Sequence, residues 1–151
     1  MLSGIHPILT GDLLAELDRL GHGDELVVAD ANFPSHRVAA SASPVAVVDL
    51  PGLSSPSVVE AVRTVLPLDT YEVHSVLFMA AEDGDRPPVQ QELLTAAEAP
   101  EDRVTALERF AFYERAARAR LVIRTGEFRP YGNLLLRKGV VAPYSRGEAA
   151  G

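Results

Sequence analysis

The chain has 151 residues, 47% hydrophobic and 23% charged, with a net charge of −7 and a pI near 5.0. That length holds one domain of ordinary size, and the acidic balance argues against a nucleic-acid or anionic-membrane partner, either of which favours a basic face. With no cysteine, disulfides, thiolate metal sites and thiol nucleophiles are excluded.

In chain order, Thr10 caps a predicted helix over 10–20, with Asp12 in its first turn and Leu13, Leu14, Leu17 and Leu20 on its buried stripe. Gly21 supplies the stop. After His22-Gly23-Asp24-Glu25 comes the continuous apolar run Leu26-Val27-Val28-Ala29, which reads as a strand buried on both faces. Asp30-Ala31-Asn32-Phe33-Pro34 reads as a polar turn. A second strand is predicted over 45–48 and a loop over 49–56. Ser55-Pro56 reads as a cap with Pro at the first helical position. Val58, Val59, Val62, Val65 and Leu66 form the apolar face of that helix, and Pro67 ends it. A third strand is predicted over 73–81, an exposed turn over 82–88 and a helix on to 97. A helix over 109–119 puts Phe110, Tyr113 and Ala117 on one side, and strands over 121–123 and 134–136 follow. Short apolar strands alternating with helices imply an α/β domain with a central sheet and helices on both faces.

No basic stretch followed by an apolar run marks a signal peptide, and no segment nears the roughly 18 apolar residues of a membrane span. The expected location is therefore the cytoplasm. The small, polar segment 144–151 is expected to be a flexible tail to a domain over 1–143.

Three segments could carry chemistry. Glycines on both sides of His22 leave its imidazole uncrowded and let the backbone turn sharply, though a plain surface histidine looks the same at this level. The following strand carries the chain across the sheet, so Asp30 at its far end need not neighbour His22 within one subunit. Asp30 with Asn32 also fits a turn-forming Asx pair. Arg109 sits at a helix start, where the dipole favours anions; this leaves an outward hydrogen-bonding role or an ion pair with Glu108 or Glu114. Phe110, Phe112 and Tyr113 are equally compatible with a core role. Tyr131-Gly132-Asn133 offers a phenol and an amide suited to hydroxyl groups, with a glycine that lets a ligand or second backbone come close; an ordinary loop before a strand is the alternative.

Other chemistries lack their signatures. No phosphate loop, dinucleotide fingerprint or GxSxG elbow is present, and His6, His22, His36 and His74 show no i, i+4 pairing for a metal. Neither a cofactor nor a metal is expected, which leaves acid–base chemistry on a neutral, polar substrate.

Taken in order, Gly21-His22-Gly23-Asp24-Glu25 through Asp30-Ala31-Asn32-Phe33-Pro34, then Arg109-Phe110-Ala111-Phe112-Tyr113-Glu114-Arg115-Ala116, then Thr125-Gly126-Glu127 with Tyr131-Gly132-Asn133, resemble the L-fucose mutarotase/D-ribose pyranase family. The similarity runs over about residues 1–143, and the RFAFYERA and ANFP segments are closer to the fucose branch. The resemblance implies a three-layer α/β/α single domain around a central mixed sheet. It implies that His22 is the proton donor and that Asp30, Arg109 and Tyr131, Gly132 and Asn133 bind the sugar; Tyr131 is expected either to share in proton transfer or to orient the sugar. It further implies a homo-oligomeric ring, typically a decamer, with active sites in clefts between subunits. The expected substrate is a monosaccharide, L-fucose foremost. D-ribose pyranase activity and a non-catalytic sugar-binding module are the alternatives. Residues 83–105 match nothing in this pattern.

Overall fold

The computed structural model describes residues 2–41 and 45–143; the expected tail over 144–151 lies outside the described residues. Eleven named elements build it: α1 (Gly11–Asp18), β1 (Glu25–Ala29), α2 (Ser35–Ala40), β2 (Ala46–Leu50), α3 (Ser55–Arg63), β3 (Val76–Met79), α4 (Pro88–Ala97), β4 (Val104–Leu107), α5 (Arg109–Ala116), β5 (Leu121–Thr125) and β6 (Leu134–Arg137). A short 3-10 turn, Glu101–Arg103, precedes β4.

The strands form one sheet in the order β2-β5-β1-β6-β3-β4. β2, β5 and β1 pair in parallel, as do β3 and β4, while β6 runs antiparallel between β1 and β3. The sheet is therefore mixed, with five strands pointing one way and one returning. Helices cover both faces, so side chains on both sides of each central strand are buried. In β1, Leu26 and Val28 face a core shared with Leu13 and Leu17 of α1, Val58 and Val62 of α3 and Leu93 of α4. Val27 and Ala29 face a second core, with Val38 of α2 and Phe112 and Ala116 of α5. This accounts for the unbroken apolar run.

Several boundaries differ from the sequence reading. The segment after Phe33 forms α2, a six-residue helix too short to show a periodic signal. β4 is an edge strand of four residues with a mixed burial pattern. α3 is capped by Ser54, whose side chain accepts the Ser57 N–H, and ends at Arg63, ahead of Pro67. β3 starts at Val76, leaving Tyr71 and Val73 exposed. On α5 the buried residues are Phe112 and Ala116, with Tyr113 and Ala117 partly buried against the same core, whereas Phe110, expected on the side of those two, is 73% exposed.

Candidate active site

All five parallel strands end at the same edge of the sheet, where ligands of open α/β sheets bind. Asp30 follows β1 there and is 4% exposed. Its backbone N–H donates to Asn133 Oδ1 at 2.8 Å, and its Oδ1 accepts the Asn32 N–H at 3.0 Å, the Asx turn expected from the spacing. Burial pushes the Asp30 carboxyl above its ordinary value. The N–H groups of Asn32, Phe33 and Gly132 and the Asn133 side chain work against that rise.

Asn133 and Tyr131 precede β6, whose antiparallel course brings them beside the end of β1. Tyr131 has φ +63°, a left-handed conformation that costs a bulky residue of order 1–3 kcal/mol and persists only where neighbours enforce it. One such neighbour is Gln90 of α4, fully buried, whose Nε2 donates to Met79 O at 2.6 Å and reaches Tyr131 O at 3.4 Å. Gly132 is required by space: a Cβ there would lie 2.7 Å from Glu127 Cγ and 3.4 Å from Asp30 Cβ. The turn around Asp30 is braced from β5, where Thr125 Oγ1 donates to Ala29 O at 2.9 Å and Glu127 O accepts the Ala31 N–H at 2.8 Å. Arg129 in turn pairs with Glu127 at 2.9 Å and holds its carboxyl below the usual range.

Arg109, the first residue of α5, makes neither ion pair considered for it. Glu108 instead caps the helix, accepting the N–H groups of Phe110 and Ala111, and Glu114 pairs with Arg118. The Arg109 guanidinium lies over the Tyr113 ring, 5.7 Å from its centroid, and Nε donates to the Tyr113 hydroxyl at 3.3 Å. Among the described residues no carboxylate pairs with it. Asp30, Asn32, Arg109, Tyr113, Tyr131 and Asn133, with Phe33 and Met79 as apolar wall, line a cavity of about 240 Å³.

His22 is elsewhere. It precedes β1 and lies at the opposite edge of the sheet; the four steps from Glu25 to Ala29 alone cover about 13 Å at roughly 3.3 Å per residue. Its Nε2 is 3.0 Å from Asp69 Oδ1, and its ring packs edge-on against Tyr71, 5.2 Å between centroids. Asp69 Oδ2 accepts Arg137 Nε at 3.0 Å. Arg137 also reaches Glu25 at 3.3 Å, and Glu25 accepts Arg115 of α5 at 2.8 Å. A chain of ion pairs thus backs the histidine. Among the described residues no group of three or more His, Cys, Asp or Glu is arranged to hold a metal.

The chain therefore brings Asp30, Arg109, Tyr131 and Asn133 together, with Gly132 in the same turn, and leaves His22 apart. The sequence reading missed Asp69, Arg137 and Gln90. The first two are separated from His22 by 47 and 115 positions, and Gln90 lies within the segment that matched no pattern. Tyr113, considered only for the core, lines the cavity.

Comparison with known proteins shows the family of the chain. Residues 3–141 match the model of the RbsD / FucU transport protein family. The L-fucose mutarotase of Histophilus somni is 41% identical over 145 residues, covering 93% of this chain and 97% of that protein. A fucose mutarotase from Streptococcus pneumoniae, solved in complex with L-fucose, superposes with a TM-score of 0.85 at 34% identity, covering 93% of this chain and all of that one. RbsD of Bacillus subtilis, solved with D-ribose, gives 0.71 at 28% identity, covering 91% and 98%. With the fold, the motifs and these relatives in agreement, the chain belongs to the RbsD/FucU family.

Proposed function

We propose that this protein is a sugar mutarotase that interconverts the α and β anomers of L-fucose or a closely related monosaccharide. The carrying observation is the carboxyl-edge cavity. At about 240 Å³ it is smaller than the roughly 300–1,000 Å³ of sites for drug-sized ligands, and its polar lining of carboxylate, guanidinium, phenol and amide suits several hydroxyl groups. The fucose-bound relative superposes more closely than the ribose-bound one, which favours fucose.

Mutarotation opens the hemiacetal. A proton leaves the anomeric hydroxyl, the bond from C1 to the ring oxygen breaks, and the ring oxygen gains a proton. The aldehyde turns about its bond to C2 and closes on its other face, reversing both transfers. No net proton or electron is consumed. His22 exchanges a proton with one of these oxygens and Tyr131 with the other; Asp30, Arg109 and Asn133 hold hydroxyl groups. An uncatalysed half-time of about an hour corresponds to a barrier of roughly 23 kcal/mol. A positioned acid or base contributes about 10²- to 10⁴-fold, and orienting the sugar adds to that.

Because His22 and the cavity lie at opposite edges, the complete site is composed of two copies, the His22 edge of one meeting the cavity of the next. Both edges expose apolar side chains that such a contact covers: Tyr71, Val73 and Val140 on one, Phe110 and Phe128 on the other. Head-to-tail contacts of this kind close into rings, in keeping with a homo-oligomer and with a decamer of two rings. Among the described residues no helix is long and apolar enough to cross a membrane; a cytoplasmic location is part of the same reading.

The test is NMR exchange between the α and β anomeric protons of L-fucose at equilibrium, with D-ribose in parallel. Faster fucose exchange that disappears in His22→Ala is the expected result. Selective acceleration of ribose would make the protein a pyranase, and binding without acceleration of either sugar would make it a sugar-binding module.

A further inference from the structure

β6 runs antiparallel between β1 and β3, and both of its ladders stop where the cavity begins. The β3–β6 register ends at Phe78 opposite Leu134, and the next residue on each strand, Met79 and Asn133, lines the cavity. On the β1 side the Asn133 side chain carries the pairing onward, its Oδ1 accepting the Asp30 N–H at 2.8 Å. On the β3 side that place belongs to Gln90 of α4, whose Nε2 donates to Met79 O at 2.6 Å and to Tyr131 O at 3.4 Å. We propose that Gln90 is a positioning residue of the cavity: its amide spans the gap where β3 and β6 diverge and holds Tyr131 in the left-handed conformation from which it meets the sugar. This rests on the reading of Tyr131 as a group that exchanges a proton with the substrate.

Only one end of the amide can serve two carbonyls. Nε2 carries two hydrogens, whereas Oε1 turned to the same place would face two acceptors with a third. Gln90 is fully buried, and its Oε1 has no hydrogen-bond partner among the described residues. A buried acceptor left unmatched works against stability. An apolar side chain of the same length would avoid that penalty but leave the two carbonyls without their donor. What the glutamine contributes is therefore its donor side, and that side acts on the backbone of two cavity residues: Met79, part of the apolar wall, and Tyr131, which brings the phenol.

Tyr131 needs such a hold. At φ +63° its Cβ crowds its own backbone, so the same loop without an outside restraint relaxes to a helical or extended conformation. That rotation would carry the phenol away from Asp30, Arg109 and Asn133. The restraint comes from a fixed platform, because Val89, Leu93 and Ala97 anchor α4 in the core on one face of the sheet. The same helix grips the loop a second time two residues earlier. Glu92 receives both terminal nitrogens of Arg129 at 2.8 Å, the forked pairing that fixes a guanidinium in orientation as well as position. α4 thus holds the loop from outside at Arg129 and from inside at Tyr131. The segment around Gln90 carries no recognisable motif because it acts on backbone atoms, through a contact 41 positions away.

The test combines crystal structures and anomer-exchange kinetics for wild type, Gln90→Met and Gln90→Asn. Methionine keeps the length of the side chain and has no donor; asparagine keeps the amide but is one methylene too short to hold both carbonyls. In wild type, with and without L-fucose, Tyr131 should keep its left-handed φ and the Gln90 amide should lie between Met79 O and Tyr131 O. In both variants Tyr131 should leave the left-handed region and kcat should fall by about 10- to 100-fold, since misplacing a reacting group by about 1 Å costs on the order of 10²-fold. KM and the calorimetric stoichiometry of L-fucose should change little, because Asp30, Arg109 and Asn133 have contacts of their own. A residue that merely stabilised the fold would lower the stoichiometry instead. An extended or right-handed Tyr131 in wild type overturns the proposal. So does a kcat that falls while Tyr131 stays in place, a Tyr131 that moves while kcat holds, or no change in either. Failure of both variants to fold would make Gln90 a structural residue and overturn it as well. A Tyr131 that moves as expected in a protein whose wild type accelerates no sugar upholds the positioning role and overturns the functional reading.

Discussion

The two edges of the sheet solve different problems with different materials. At the carboxyl edge, the cavity is shaped by turns, by a buried glutamine and by a tyrosine in a left-handed conformation, and its cation, Arg109, rests on an aromatic ring with no carboxylate partner among the described residues. At the amino edge, His22 is backed by Asp69, Arg137, Glu25 and Arg115 in alternating charge. A group that must meet a neutral sugar profits from unspent hydrogen-bonding capacity. One that moves a proton profits from a fixed counter-charge that keeps its orientation. Neither edge has both, and under the proposed function two copies of the chain must meet before the chemistry can run.

That division can be broken most severely by separating the halves. His22→Ala and Arg109→Ala should each be nearly inactive, His22→Ala by about 10²- to 10⁴-fold. Unfolded together and refolded as mixed oligomers, they should regain a substantial fraction of wild-type exchange, because some interfaces pair one intact half with the other. No recovery in mixtures shown by mass spectrometry to contain both chains would place the two halves in one subunit's reaction after all.

Stability should divide along the same line. Arg137→Met leaves Asp69 and Glu25 buried with fewer partners and should cost about 3–5 kcal/mol in urea denaturation. Arg109→Met, with no such partner, should change stability by less than about 0.5 kcal/mol while weakening sugar binding. Equal losses in both would mean that the arginine at the cavity is as structural as the one behind the histidine.

Gly132→Ala tests how tightly the cavity turn is packed. Its Cβ would overlap the Glu127 side chain, and overpacking of this kind costs about 1–3 kcal/mol. Sugar affinity, measured by titration calorimetry, should fall along with stability because Asp30 lies against the same spot. Unchanged affinity would show that the turn gives way without moving Asp30.

The smallest expected effect is the most diagnostic of a site kept at the expense of stability. Asp30 has a raised pKa in the fold, so its contribution favours folding below the unfolded value and is lost as pH rises through the folded one. Asp69 has the opposite sign: its contribution is present above the unfolded value and lost as pH falls toward the depressed folded one. Asp30→Asn should therefore leave stability at pH 7 equal or slightly higher, while sugar binding weakens; Asp69→Asn should lower stability at pH 7 and flatten the acid limb. Thermal melts at pH 4 and pH 7 distinguish the two.

Much of this was readable along the chain. The apolar run at Leu26-Val27-Val28-Ala29, the Thr10 cap and the leucine stripe of α1 express local periodicity and capping, which depend on near neighbours. The Asx turn at Asp30 was legible for the same reason, and Asp30, Arg109, Tyr131 and Asn133 were named together through family resemblance, whereas Tyr113, read only as core, was not recognised as part of the cavity. The sequence also showed that His22 and Asp30 stand at opposite ends of a strand. The six-residue α2 and the edge strand β4 were not legible, since each is shorter than a periodic signal and is held by its neighbours.

What only the tertiary structure decided is which distant side chains meet. Phe112 turns inward and Phe110 outward because α5 packs its opposite side on the sheet. Asp69 and Arg137 come to His22 because antiparallel β6 returns between two parallel strands and delivers Arg137 to the start of β1. Gln90 reaches Tyr131 from a helix with no recognisable motif. Periodicity reports the neighbours along one segment, whereas strand order and direction determine which segments share an edge. In this protein the cavity and the support of its histidine both depend on that second kind of proximity.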